Sequence, residues 1–327
     1  RIEITVLETE LALLDDRDDA IDEMGFRVPK RYMGMLHFCS LECCVMSRQL
    51  KRWCKFGSGS LDKALSRISA CIMSTLPPKG MSFTLSQETR DLLWGGLPSS
   101  MRRNSWFILS GADRVKCESK RTYENLSFIL HLLIALTRVT NRYESYLQDQ
   151  VDASVRDAVE ADCVRTFTSH STSLDKNALR NVLLAHASRS PQIGYAQGLN
   201  HIAGFIMSMS EFSERDTFWI LSALTGRLCE DYYTKSMFGL RRDFYVLREI
   251  VHQQHPDVLR HLDKLGAPLA VFVTGSFLSH FVLHLPSHTL LRVMDITMWL
   301  GSAGLIVCVR IVVCSSLICE FVYDINF

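Results

Sequence analysis

The sequence predicts an all-α protein of two helical lobes, and three observations carry that expectation. Apolar residues recur at helical spacing, as in Leu179, Val182, Leu183 and His186. Ser213, with Asp216 three residues on, forms a capping pair directly before the apolar run Phe218-Trp219-Ile220-Leu221. No alternating apolar and polar pattern recurs often enough to build a sheet.

Composition sets the outer limits. With 327 residues, 47% of them hydrophobic, the chain can bury a large core. Lys and Arg number 36 against 35 Asp and Glu, so net charge implies neither a nucleic-acid footprint nor attraction to acidic membranes. The 11 cysteines, without C-x-x-C pairs, fit reduced thiols better than a disulfide framework. His37, Cys39, Cys43 and Cys44 lack a second ligand pair at zinc spacing, so they read as packing residues and no metal is expected. The start, Arg1, shows no basic flank followed by an apolar core, so a secretory route has no support.

Residues 1–88 read as an N-terminal helical extension and linker. Leu61, Ala64, Leu65, Ile68 and Ile72 give one buried helical face, and Pro77-Pro78 with Gly80 gives a linker composition before the main domain. Within 89–327, lobes are expected at about 89–239 and 240–327. Gly96 and Pro98 break the chain before a helix that Trp106 anchors, and Arg102 reads as an ion pair tying that helix to its neighbours. The stretch from Cys117 to Gln150, with the apolar run from Phe128 to Ala135, reads as an insertion tolerated on the surface. That run is far shorter than the roughly 20 residues a bilayer span needs.

The helix from Leu174 to Ala187 is expected to start near Thr172 and Asp175 and to stop at Ser190-Pro191. It separates two polar clusters, one ending in Asp162, Arg165 and Thr166 and the other holding Tyr195, Gln197 and Asn200. Asp162 and Arg165 are helix neighbours at a spacing of three. The bland reading makes them an ordinary ion pair, with Gln197 as a helix cap. A functional reading is also available: an arginine can stabilise phosphate charge, and a glutamine both donates and accepts hydrogen bonds and so can orient an attacking water.

Further on, Gly198 to Met209 is expected to be an apolar helix in which Ala203 and Gly204 permit close approach. Helical periodicity runs as one stretch from Phe244 to Leu265. Leu305 to Val322 is apolar but interrupted by Arg310 and Ser315-Ser316, which favours a buried helix over a membrane span.

Three ordered motifs carry a resemblance. Gly96-Leu97-Pro98 with Arg102 and Trp106 resembles the G-I-P-x-x-x-R-x-x-x-W opening of TBC domains, the GTPase-activating domains for Rab-type GTPases. Val159 to Thr166 resembles their I-x-x-D-x-x-R-T motif, and Tyr195 to Asn200 their Y-x-Q-G-M-N motif. Similarity to one branch of the family extends from about Ile21 to about Gly304. The resemblance implies that Arg165 is an arginine finger and Gln197 a glutamine finger, with Asp162, Thr166, Tyr195 and Asn200 supporting them. Gly96, Pro98, Arg102 and Trp106 would be structural.

The partner implied is a GTP-bound Rab that carries its own GTP and magnesium. The chain itself would hold no cofactor, bind no nucleic acid and carry no integral membrane segment. It would be cytoplasmic and peripheral on endomembranes through the Rab, in the service of vesicle trafficking. Two departures from the family pattern stand out: Ser276 and Met294 occupy positions where it has tryptophan, and both are expected to lie away from the finger motifs. The chain also ends before the family's final helices, which implies a truncated C-terminal lobe. These departures support a rival reading, a catalytically inactive Rab-binding scaffold. A membrane-anchored helical protein is the other rival.

Overall fold

A computed structural model describes residues 20–21, 27–28, 51–57, 60, 63–67, 86–116, 142–168, 174–266 and 268–310. The helices are α1 (Gln87–Gly95), α2 (Ser99–Ser110), α3 (Arg142–Gln148), α4 (Ala153–Arg165), α5 (Lys176–Arg189), α6 (Leu199–Ser208) and α7 (Glu214–Ala223). A π-helical turn (Leu224–Leu228) follows, then α8 (Phe238–Gln254), α9 (Pro256–Lys264), α10 (Leu269–Ser279) and α11 (Ser287–Leu300). Residues 302–310 continue as helix. Among the described residues the only strands are the two-residue antiparallel pair β1 (Ala20–Ile21) and β2 (Arg27–Val28), so the all-α expectation holds.

Helix α5 is the hub, packed against α3, α4, α6 and α7. Its predicted face is the one that packs: Leu179, Val182, Leu183 and His186 are all buried. Asp175 caps it by accepting from the backbone N–H groups of Asn177 and Ala178, while Thr172 lies outside the described residues. His186 is a satisfied core histidine. Its Nε2 meets Thr225 Oγ1 of the π-turn at 2.9 Å, and burial, with a smaller contribution from Arg189, pushes its pKa down to about 3. The capping box at Ser213 and Asp216 is present as read.

The opening motif is fastened by Asp295 on α11. This carboxylate accepts from Arg102 Nε at 3.1 Å, Trp106 Nε1 at 2.7 Å and the backbone N–H of Leu97 at 3.1 Å. A buried charge persists only when paired and fully hydrogen-bonded. Here three donors meet one carboxylate, and Arg102 passes a further bond to Leu97 O at 2.7 Å. The ion-pair reading of Arg102 is correct. Trp53, in the segment expected to be an extension, is fully buried and donates to Gly96 O at 2.9 Å.

Helix α1 starts at Gln87, where the Ser86 side chain supplies the cap by accepting from the N–H of Thr89. Several expectations change. The end of the supposed surface insertion is core: α3 packs on α5, and buried Tyr143 lies 5.0 Å from the Phe218 ring. The run from Phe128 to Ala135 falls outside the described residues, as does the cluster His37, Cys39, Cys43 and Cys44. The single stretch from Phe244 to Leu265 is two helices, parted at His255 because Pro256 starts α9 and cannot continue α8. Of the stretch from Leu305 to Val322, residues up to Arg310 are helical, with Leu305 and Val309 fully buried; the rest lies outside the described residues. Among the described residues no helix is long and apolar enough to cross a membrane.

Candidate functional site

Arg165 is the last residue of α4, and Gln197 lies in the turn before α6. Both are exposed, and the Arg165 side chain keeps 64% of its accessible surface. Both therefore sit where a side chain can reach outward, at ends that packing holds still.

The residues expected to support them join the two motifs into one frame. Asp162, buried one turn before Arg165, pairs through Oδ1 with the Arg165 guanidinium and accepts at Oδ2 from Tyr195 Oη at 2.5 Å. The phenol is held neutral: burial, then its bond to Asp162, pushes its pKa far above the usual value. Thr166 caps the end of α4, its hydroxyl donating to Asp162 O at 2.6 Å. The same hydroxyl accepts from Asn200 Nδ2 at 2.8 Å, while Asn200 Oδ1 accepts from the N–H of Gly198 at 3.2 Å. Lys176 at the start of α5 donates to Thr166 O. The sequence suggested that Tyr195 and Asn200 steady the glutamine's turn. The finding is stronger, since each also grips the arginine's helix.

Gly198 closes the turn. Its φ of +109° suits glycine, and a Cβ there would stand 2.6 Å from the carbonyl oxygen of Leu278. The end of α10 therefore abuts the Gln197 turn. This corrects the expectation that the Ser276 region lies away from the finger motifs. Ser276 itself is buried two residues from Leu278, whereas Met294 is buried on α11 beside Asp295. No sequence signal marked Leu278, because the contact is made by a backbone atom. The close approach expected at Gly204 on α6 is that of another helix; the close neighbour it admits is instead the Phe167 ring, in the turn after α4.

A groove of about 980 Å³ opens beside the frame, lined by Gln150 to Asp152, Pro191 to Gln197, Tyr233 to Lys235, Met237 and Leu278, among others. Gln197 and Tyr195 line it; Arg165 stands outside and is joined to it through Asp162 and Tyr195. Gly96, Pro98, Arg102 and Trp106 form the separate cluster on Asp295. Among the described residues no group of three or more potential metal ligands occurs.

The sequence pattern of the Rab-GTPase-TBC domain matches residues 99–320. The chain belongs to this family. As a TBC domain it is similar to human growth hormone-regulated TBC protein 1, at 32% identity over 206 residues that cover 61% of this chain and 55% of the human protein. The zebrafish (Danio rerio) growth hormone-regulated TBC protein 1-A is 29% identical over 297 residues, covering 88% of this chain and 71% of that protein. The chain thus spans little more than half the length of the human relative. Two solved structures share the TBC fold. The flagellar RabGAP TBC domain of Chlamydomonas superposes with a TM-score of 0.62 at 20% identity, covering 88% of this chain and 84% of that one. The Ypt/Rab-GAP domain of Gyp1p gives 0.53 at 19% identity, covering 79% and 86%.

Proposed function

We propose that this TBC domain accelerates GTP hydrolysis on a GTP-bound Rab-family GTPase, with Arg165 and Gln197 supplied in trans. The observation that carries the reading is one of exposure against fixation. The two side chains project into solvent from a frame in which Asp162, Thr166, Tyr195 and Asn200 are bonded to one another's segments. Such pre-organisation suits a group that must meet a transition state, because its orientation is set before the partner arrives.

In this reading Asp162 holds the Arg165 guanidinium by one edge, leaving other N–H groups to approach the charge developing between the β- and γ-phosphates. Gln197 orients the attacking water by donating through its amide and accepting through its carbonyl. The Rab brings nucleotide and magnesium, so the domain holds neither. It works in the cytoplasm at endomembranes reached through the Rab, and thereby regulates vesicle traffic.

The test is single-turnover GTP hydrolysis by a panel of Rab proteins with the wild-type chain, Arg165→Ala and Gln197→Ala. Acceleration of at least one Rab, lost in both variants, is the expected result. A folded wild-type chain that binds GTP-loaded Rab without accelerating hydrolysis overturns the reading in favour of an inactive Rab-binding scaffold.

A further inference from the structure

Behind the Gln197 turn lies a buried polar chain that the finger reading does not use. Tyr233, which follows the π-turn, is 4% exposed and directs its hydroxyl at the carbonyl oxygen of Leu278, 3.2 Å away. The same hydroxyl lies 3.3 Å from Nε2 of His280, whose Nε2 is also 3.7 Å from Cys229 Sγ. A phenol has one proton to give. The Leu278 carbonyl can only accept, so Tyr233 is the donor in that contact; with the phenol proton so placed, the Nε2–H tautomer of His280 completes the chain by donating to the phenol oxygen. Both groups are locked in the neutral form by burial, which lowers the imidazole to about 3 and raises the phenol well above its usual value.

The backbone is built to deliver that carbonyl. His280 ends α10 in the left-handed region at φ +50°, its N–H returning to Ser276 O, and this leaves Leu278 O turned toward Tyr233 and Gly198. On its other side the carbonyl stands where a Cβ on Gly198, the residue after Gln197, would lie 2.6 Å away, a spacing that admits no side chain. Two forces therefore converge on one turn. Asn200 holds the Gly198 N–H from within its own segment, and the Leu278 carbonyl backs it from the end of α10.

We infer that Tyr233 is a positioning residue for Gln197: by fixing the Leu278 carbonyl against Gly198, its hydroxyl sets where the glutamine amide stands. The inference rests on the finger role proposed for Gln197. Tyr233 touches neither nucleotide nor water in this scheme, so its effect passes through Gln197 alone. A misplacement of about 1 Å can cost up to a hundredfold in rate, and a lost strut that only loosens the turn costs less.

The experiment is a double-mutant cycle on the full chain, using the Rab that the wild type accelerates most. Single-turnover rates as a function of TBC-domain concentration are measured for wild type, Tyr233→Phe, Gln197→Ala and the double variant. Binding of each to the same Rab loaded with a non-hydrolysable GTP analogue is measured alongside. Tyr233→Phe is expected to lower the maximal rate about tenfold, the cost of roughly one hydrogen bond, with half-saturation and analogue binding within twofold of wild type. The double variant is expected to be no slower than Gln197→Ala, because a strut has nothing to act on once the amide is gone.

Gly198→Ala is expected to give the same signature from the other side of the contact. If Tyr233→Phe equals wild type, or slows the Gln197→Ala chain by its full factor, the inference falls while the finger reading stands. If Gln197→Ala keeps wild-type activity, both fall. A Tyr233→Phe chain that does not fold makes the hydroxyl structural and also overturns the inference.

Discussion

Asp162 and Asp295 are near-copies in chemistry and, in the function proposed above, opposites in use. Each carboxylate is almost wholly buried, and each accepts from an arginine and from an aromatic donor, Tyr195 in one case and Trp106 in the other. The arginines differ. The Arg102 side chain is 10% exposed and gives a further donor, Nη2, to Leu97 O, whereas that of Arg165 is 64% exposed. A constellation closed on every side fastens segments together. The same constellation with one side open holds a charge in readiness. Under the proposed finger role, exposure of the arginine, more than its ion pair, separates anchor from instrument.

The comparison can be broken most directly at the arginines. Arg165→Ala is expected to remove about a thousand- to a hundred-thousand-fold of Rab GTPase acceleration while lowering the thermal midpoint less than Arg102→Ala does, because the side on which Arg165 meets Asp162 is open and water can take the guanidinium's place there. Arg165→Lys should fail almost as badly, since a point charge cannot replace the planar fork. Hydrolysis rates and a thermal melt check both halves. The mirror experiment, Arg102→Ala, should destabilise the fold by about 3–5 kcal/mol, because it strands the Asp295 charge in the interior. Urea unfolding reads it directly.

Smaller perturbations sharpen the contrast. Asp162→Asn keeps an acceptor for Tyr195 but releases the guanidinium. Acceleration should fall about ten- to a hundredfold, with a stability loss of only about 1–2 kcal/mol. A variant as inactive as Arg165→Ala, or one that unfolds, would make Asp162 a second anchor.

Protonation supplies the mildest probe. His186 and His280 have folded pKa values near 3 against about 6.5 when unfolded, so below pH 6.5 the unfolded chain binds the extra protons. Stability should hold above pH 6.5 and decline as pH falls toward 3, by up to about 1.4 kcal/mol per pH unit for each histidine. Urea midpoints at pH 7.5, 6 and 5 test the slope, and His280→Asn, which tolerates the left-handed backbone, should reduce it.

The parts legible in the sequence were those written in local periodicity and short motifs. The buried face of α5, the capping box at Ser213, the break at Gly96 and the three-residue spacing of Asp162 and Arg165 all depend on neighbours within a few positions. What escaped depends on distant partners. Trp53 reads as one more apolar residue until Gly96 O is beside it, and Tyr143 reads as part of an insertion until it meets Phe218. The grip of Asn200 on Thr166 spans 34 residues and crosses a helix, so each motif alone showed half of the frame. Leu278 was invisible because its contribution is a carbonyl, which every residue possesses. Pro256 is visible in the sequence, and a proline inside a periodic run ends the helix before it, which is what parts α8 from α9.

The peptide unit between Gly96 and Leu97 has a consequence in time. Its carbonyl is taken by Trp53, 43 residues earlier, and its N–H by Asp295, 198 residues later. On a ribosome adding about 5–20 residues per second, that N–H waits roughly 10 to 40 s for its partner to be made. Until then Arg102 and Trp106 also lack the carboxylate that satisfies them. The opening helices are among the first parts of the domain to emerge, yet they are completed among the last, and the nascent chain must keep an apolar surface and an unpaired arginine out of mischief for that whole interval.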